Sequence, residues 1–209
     1  MKQQPVTRIL LADDHAIVRM GIASLISAQN DMEVVGEAEN GEFAVKESIR
    51  LKPDVVIMDL MMPVMDGVAA TAEILTHLPK TKVLIITSFV ASDGIAHALD
   101  NGASGIFMKN APSIGLLAAI RTIACGKKFI PPEIVKLIKE DPPAQELTSR
   151  QHDILLLMAK GLTNADISKV LDICEQRVKE HVITILAKFG AANRTEAVAI
   201  ALRKHLLKI

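Results

Sequence analysis

Residues 53–67 read PDVVIMDLMMPVMDG. A short apolar run, Val55–Met58, ends in a carboxylate at Asp59. Helical periodicity takes over across 66–78. A run that is apolar throughout, rather than alternating, suits a strand covered on both faces. The same unit recurs on either side. Ile9–Ala12, Val34–Gly36, Val83–Ile86 and Gly105–Met108 are further short runs rich in Val, Ile and Leu. Stretches of helical length, 16–29, 41–51, 93–101 and 113–125, separate or follow them. Five strand–helix repeats predict an α/β fold with a five-stranded, doubly wound parallel sheet. Such sheets carry their functional groups at the carboxyl ends of the strands.

Five chemically distinctive residues fall at those ends. Asp13 and Asp14 follow the first strand, Asp59 ends the third, Thr87 the fourth and Lys109 the fifth. Three clustered carboxylates repel one another unless a cation is shared. Oxygen ligands with room for water suit Mg²⁺, with Mn²⁺ as a substitute. A carboxylate is also a nucleophile toward phosphorus and yields an acyl phosphate. The cation and a lysine then neutralise the transferred phosphoryl group, and a hydroxyl hydrogen-bonds it. Helix capping explains any one of these aspartates equally well, but not all five residues at corresponding strand ends.

The texture changes at Gly126. Pro131, Pro132, Pro142 and Pro143 bracket the apolar segment Ile134–Ile138, so 126–146 reads as a linker with one short helix. From Leu147 the pattern is wholly helical. Thr148 caps a helix reaching Lys160, a short helix spans 163–170, a longer one 175–189, and a last one runs from Thr195 to about Leu207. Leu171, Asp172 and Ile173 form a tight connection, which marks a helix-turn-helix from Asn164 to Ile183. The expected organisation is a first domain over 1–125, the linker, and a small all-α four-helix domain over 147–209.

Composition narrows the function. The net charge is zero over 209 residues, but the halves differ. Residues 1–144 hold 14 Lys and Arg against 17 Asp and Glu, whereas 145–209 hold 10 against 7. That asymmetry suits an acidic cation-binding domain joined to a basic phosphate-binding one. Trp and Tyr are absent, which argues against stacking platforms for single strands. No apolar run approaches the roughly 20 residues of a membrane span. The N-terminus does not read as a signal peptide. Cys125 and Cys174 form no CxxC pair, so no disulfide framework or zinc site is expected and a reducing cytoplasm is.

The chain resembles a two-component response regulator of the NarL/FixJ type. The words that carry the resemblance are LLADDH at 10–15, VVGEAENG at 34–41, PDVVIMDLMMPVMDG at 53–67, VLIITS at 83–88 and GASGIFMKN at 102–110. The resemblance implies a flavodoxin-like receiver whose Asp59 takes a phosphoryl group from the phosphohistidine of a sensor histidine kinase. It implies Mg²⁺ held by Asp14, Asp59 and the carbonyl of Met61, with Asp13 assisting through water. Thr87 and Lys109 would contact the phosphoryl oxygens. Acid phosphatase-like hydrolases pair such a nucleophile with a second aspartate two residues on. Met61 stands there, so no enzyme is expected. Receivers usually carry an aromatic residue three positions before the lysine as part of their switch; here it is Ile106. Phe107 is adjacent but points to the opposite face. Met61 and Phe89 make the surroundings of Asp59 and Thr87 greasy, which either hinders an attacking water and prolongs the acyl phosphate or reflects ordinary variable surface loops.

Residues 147–198 resemble a LuxR-type output domain. Leu147-Thr148, Gly161 to Asn164, Ile167, Val178-Lys179, His181-Val182, Leu186, Lys188, Gly190 and Arg194 carry the likeness. In the helix 175–189, Val178, Val182, Ile185 and Phe189 recur at core spacing. The far arc holds Gln176, Lys179, Glu180, Ile183 and Ala187, which a helix in the major groove presents to base edges. Lys179 suits guanine or phosphate, while Arg177, His181 and Lys188 flank the arc within reach of the backbone. Glu180 repels phosphates but accepts from cytosine N4, and Ile183 packs on a thymine methyl. Cys174 replaces the usual Ser or Thr cap, and Gln151 a family glutamate. The implied function is transcription regulation on double-stranded DNA, with phosphorylation favouring a homodimer. The competing reading is a protein-interaction regulator that has lost tight DNA binding.

Overall fold

Five strands, β1 (Thr7–Ala12), β2 (Met32–Ala38), β3 (Val55–Asp59), β4 (Lys82–Thr87) and β5 (Gly105–Met108), pair in parallel in the order β2-β1-β3-β4-β5. The expected fold class is therefore present, with the strand order of a flavodoxin-like sheet. A computed structural model describes residues 6–88, 92–141, 143, 145, 147–204 and 206–207. Phe89, expected beside Thr87, lies outside the described residues.

Alternate residues of each strand enter opposite cores. Leu10, Val56, Met58, Ile85 and Ile106 face one side, where Ala44 and Val45 of α2 (Gly41–Leu51), Ala70 and Ile74 of α3 (Gly67–His77), and Ile95 and Ala98 of α4 (Ser92–Asp100) cover them. Ile9, Leu11, Val55, Ile57, Leu84, Ile86 and Phe107 face the other, under α1 (Ala16–Ser27) and α5 (Ser113–Ala124). Two-faced burial is why these strands read as continuous apolar runs. Ile106 and Phe107 do point to opposite faces.

The chain divides into two compact units, 1–142 and 143–209. The stretch expected as a linker is therefore mostly part of the first. Phe129 bridges Gly105 in parallel: its N–H donates to the Ser104 carbonyl at 3.1 Å and its own carbonyl accepts from Ile106 N–H at 2.8 Å. A Cβ on Gly105 would sit 2.7 Å from that Phe129 oxygen, so this close approach needs glycine. Helix α6 (Pro132–Glu140) then turns back with Pro132 in its first turn. It buries Ile134 in the core that holds Ile95, Ala98 and Ile106. At its end, Ser92 Oγ donates to Asp141 Oδ2 at 2.7 Å, tying it to the start of α4. The proline pairs suggested a tether, yet Ile134, Leu137 and Ile138 between them form one docked face.

The second unit holds α7 (Ser149–Ala159), α8 (Asn164–Leu171), α9 (Glu175–Phe189) and α10 (Arg194–Arg203). Thr148 and Thr163 are N-caps in reciprocal capping boxes with Gln151 and Asp166, so Thr163 precedes its helix rather than opening it. Asn193 caps α10 two residues before its expected start, and α10 stops at Arg203 rather than near Leu207. Ile154, Leu155, Met158, Ile167, Val178, Ile185, Ala197 and Ala201 make one core.

Burial of Ile134 gives a direct test of α6. Ile134→Ala should destabilise the first unit by about 2–5 kcal/mol in denaturant unfolding, as core truncations do. Val135→Ala, at a residue 41% exposed on the same helix, should change stability by less than about 0.5 kcal/mol. Equal, small effects would mean that α6 is a tether.

Candidate functional site

The carboxyl ends of β1, β3 and β5 meet at one charge cluster. β3 carries Asp59 to the sheet edge between β1 and β4. Lys109, one residue beyond β5, places Nζ 2.8 Å from Asp59 Oδ2 and 2.7 Å from Asp13 Oδ2. Asp13 and Asp59 are almost wholly buried, whereas the Asp14 side chain is about one third exposed, at 32%. Thr87 ends β4, fully buried, and its carbonyl accepts from Lys109 N–H at 2.9 Å. All five residues expected from strand ends thus lie along one edge.

Burial shapes the electrostatics. Desolvation pushes the Asp59 carboxyl above its ordinary value, against the opposing pull of Lys109 and of a hydrogen bond from the Met61 backbone. Burial pulls the Lys109 ammonium down, but the hydrogen bonds it donates to Asp13 and Asp59 outweigh that and hold it above its ordinary value. Lys109 therefore stays charged, and Asp59 is a costly anion.

A divalent cation fits this donor set. Ligand atoms of Asp13, Asp14, His15 and Asp59 lie within 4.8 Å of one another. Asp13 Oδ2 is buried and, apart from its ion pair with Lys109, accepts no hydrogen bond among the described residues. A buried oxygen left open in this way suits a shared ion or its water.

Two positioning groups had not been singled out from sequence. His15 donates its backbone N–H to Asp13 Oδ1 at 2.9 Å and sets Nδ1 2.7 Å from Asp14 Oδ1. Arg19 donates to the Asp13 carbonyl at 2.7 Å and pairs with Glu37 of β2 at 2.9 Å. It bolts the β1–α1 turn to the neighbouring strand. The only sequence signal was an arginine one helical turn beyond the Asp-Asp-His triplet.

The loop after Asp59 is tightly constrained. A Cβ on Gly67 would overlap the Asp59 carbonyl, so the Asp-Gly at 66–67 permits α3 to start directly against the site. Asp66 caps that helix through Ala69 N–H at 2.9 Å. Val64 adopts φ +67°, a left-handed conformation that costs a β-branched residue about 1–2 kcal/mol. Met61 is half-buried and packs partly against the core.

In the second unit the expected far arc of α9 is open. Gln176, Arg177, Lys179, Glu180, Ile183 and Ala187 are exposed, and Val178 and Ile185 are buried. His181 is half-exposed. Lys188 departs from the expectation: it is half-buried and donates to Gln151 Oε1 at 2.8 Å. The same amide oxygen accepts from Thr148 N–H at 3.0 Å. Gln151 thus joins the α7 cap to the last turn of α9, which draws Lys188 inward instead of toward a phosphate. Arg194, part of the output-domain pattern, donates to the Leu162 carbonyl at 2.7 Å. Cys174 makes no side-chain cap hydrogen bond, as its replacement of Ser or Thr predicts.

Two substitutions probe the first site. Asp59→Asn should raise the melting temperature of the cation-free protein by a few degrees at neutral pH. The raised carboxyl contributes stability fully only below its ordinary value near 3.8 and loses it as pH rises through the folded value. The gain should vanish in acid, and Mg²⁺ should stabilise the variant less than the wild type in the same melts. Gly67→Ala should cost about 1–3 kcal/mol by overpacking against Asp59, read by denaturant unfolding.

Comparison with known proteins agrees with this geometry. Residues 9–121 match the family described as response regulator receiver domain, and residues 145–201 match that described as bacterial regulatory proteins, luxR family. The chain is 38% identical over 206 residues to the response regulator protein VraR of Staphylococcus aureus, covering 96% of this chain and 99% of that protein. It is similar to RcsB from Salmonella enterica serovar Typhimurium, solved bound to a promoter with the phosphomimetic BeF3−. That likeness has a TM-score of 0.68 at 25% identity over 94% of this chain and 98% of the other. A structure of two RcsB dimers bound to two parallel DNAs gives a TM-score of 0.65 at 25% identity over 95% and 98%. The buried aspartate–lysine cluster on a receiver sheet, the open α9 face and these two family matches together make the chain a member of the two-component response regulators, with a receiver domain followed by a LuxR-type DNA-binding domain.

Proposed function

We propose that Asp59 is the phosphoacceptor and that its acyl phosphate controls dimerisation and DNA binding. The observation that carries this is the Lys109 ammonium shared between buried Asp13 and Asp59 at the sheet edge. A carboxylate oxygen of Asp59 attacks the phosphorus of a phosphohistidine on a sensor kinase. The new O–P bond forms as the P–N bond breaks, and the leaving imidazole nitrogen takes up a proton. Lys109 is placed to follow the incoming negative charge, and Thr87 to donate its hydroxyl to a phosphoryl oxygen. Asp13, Asp14, Asp59 and the Met61 carbonyl would hold Mg²⁺, which supplies charge neutralisation for the transferred group. Met61 leans on the core beside Asp59, which supports a role in limiting water access.

The second unit would then act in the major groove through α9, with Arg177, Lys179 and His181 toward phosphates and Gln176, Glu180 and Ile183 toward bases. The RcsB complexes support double-stranded DNA as the partner and a dimer as the bound form. No helix among the described residues is long and apolar enough to cross a membrane, and we read the site of action as the cytoplasm. One specific observation favours the second reading, a protein-interaction regulator. Glu180 is exposed on the arc that would face DNA.

A mobility shift on genomic fragments decides between them. The full chain, phosphorylated with a small-molecule phosphodonor and Mg²⁺, should bind DNA with an affinity that falls steeply with salt. Asp59→Asn should abolish the response to the phosphodonor. Absence of binding at low salt with the acyl phosphate verified by mass would support the interaction regulator.

A further inference from the structure

The outward face of α9 is a single chemical stripe. At about 100° per residue, Gln176, Glu180, Ile183 and Ala187 lie within roughly 40° of the direction opposite Val178. Val178 is fully buried, and the four stripe residues are exposed, Ile183 at 65%. No cation lies on the stripe. Arg177 and Lys179 stand on its two flanks, Lys179 pairs back to Glu175 at 3.2 Å, and Lys188 turns in to Gln151. A helix that met only phosphates would gain nothing from a carboxylate and a bare isoleucine at its centre. Both groups have matching partners in the major groove. A carboxylate accepts from the cytosine N4 amino group, an aliphatic side chain packs on the thymine methyl, and a glutamine amide pairs with adenine N6 and N7.

We propose, resting on the reading of α9 as the recognition helix, that Ile183 selects a thymine methyl and Glu180 a cytosine amino group, with Gln176 taking an adenine. From Gln176 to Ile183 the helix rises about 10 Å, at 1.5 Å per residue. That equals about three base-pair steps of 3.4 Å. The three selected bases therefore fall within a window of about four base pairs in each half-site. The flanking cations supply affinity, and the stripe supplies choice.

The test uses the full chain carrying its acyl phosphate. A random duplex pool is selected for binding, and each thymine of the enriched half-site is then replaced by uracil, which lacks only the methyl group. One replacement should weaken wild-type binding about fourfold, the factor expected for one buried methyl-sized group. The same replacement should leave Ile183→Ala unaffected. Glu180→Ala should bind duplexes that lack the selected C·G pair more tightly, since a phosphate-repelling charge is gone, and should lose the preference for C·G at that position. A damaged helix would not raise affinity while lowering selectivity, and the uracil comparison needs no variant. Indifference of the wild type to uracil at every thymine would overturn the proposal and leave DNA binding standing, as would full retention of base preference in Glu180→Ala. If no duplex is enriched by verified phosphoprotein, the DNA-binding function itself falls and this proposal with it.

Discussion

Everything in the first unit answers to one ion cluster, the Lys109 ammonium between Asp13 and Asp59. Burying two carboxylates at a sheet edge is expensive, and one shared cation offsets that cost only in part. Asp59 remains a strained anion, its carboxyl raised by desolvation despite the lysine. That imbalance makes the site receptive. A divalent ion would add the charge complement that the protein alone leaves incomplete. The surrounding structure prevents an easier escape. Arg19 clamps the Asp13 carbonyl against β2, and α3 starts so close to Asp59 that only glycine fits at 67.

The sheet also connects this cluster to what lies behind it. Ile106 occupies the position where receivers usually carry a switch aromatic, and it packs in the same core as Ile134 of α6. Ser92, at the start of α4, holds Asp141 at the end of α6. The segment 129–141 is thus held at its start by β5, through Phe129, and at its end by α4, through Ser92. In this chain α6 packs against α4 and shares the core that holds Ile106.

The second unit divides its positive charge between structure and surface. Lys188, Arg194 and Arg150 donate to internal partners and hold the helices together. Arg177 and Lys179 remain outside, beside a stripe that carries no cation. A net charge of a domain therefore overstates what it offers to a phosphate backbone, because carbonyl and amide oxygens inside the fold claim some of it first.

The sequence by itself determined the parallel sheet, because strands buried on both faces must be apolar throughout and five such runs alternate with helical periods. It also determined Asp13, Asp14, Asp59, Thr87 and Lys109 as a set, because strand ends of one sheet share an edge. The core face of α9 was legible too, from Val178, Val182, Ile185 and Phe189 at helical spacing. Only the tertiary structure decided the rest. Proline pairs at 131–132 and 142–143 read as a tether, since the fate of Ile134 depends on a groove that other elements build. His15 and Arg19 act through a backbone turn and a neighbouring strand. Lys188 was drawn inward by Gln151, 37 residues away in the chain. Local pattern fixes which face a residue takes, but the partner it finds there is set by long-range packing, which no local period encodes.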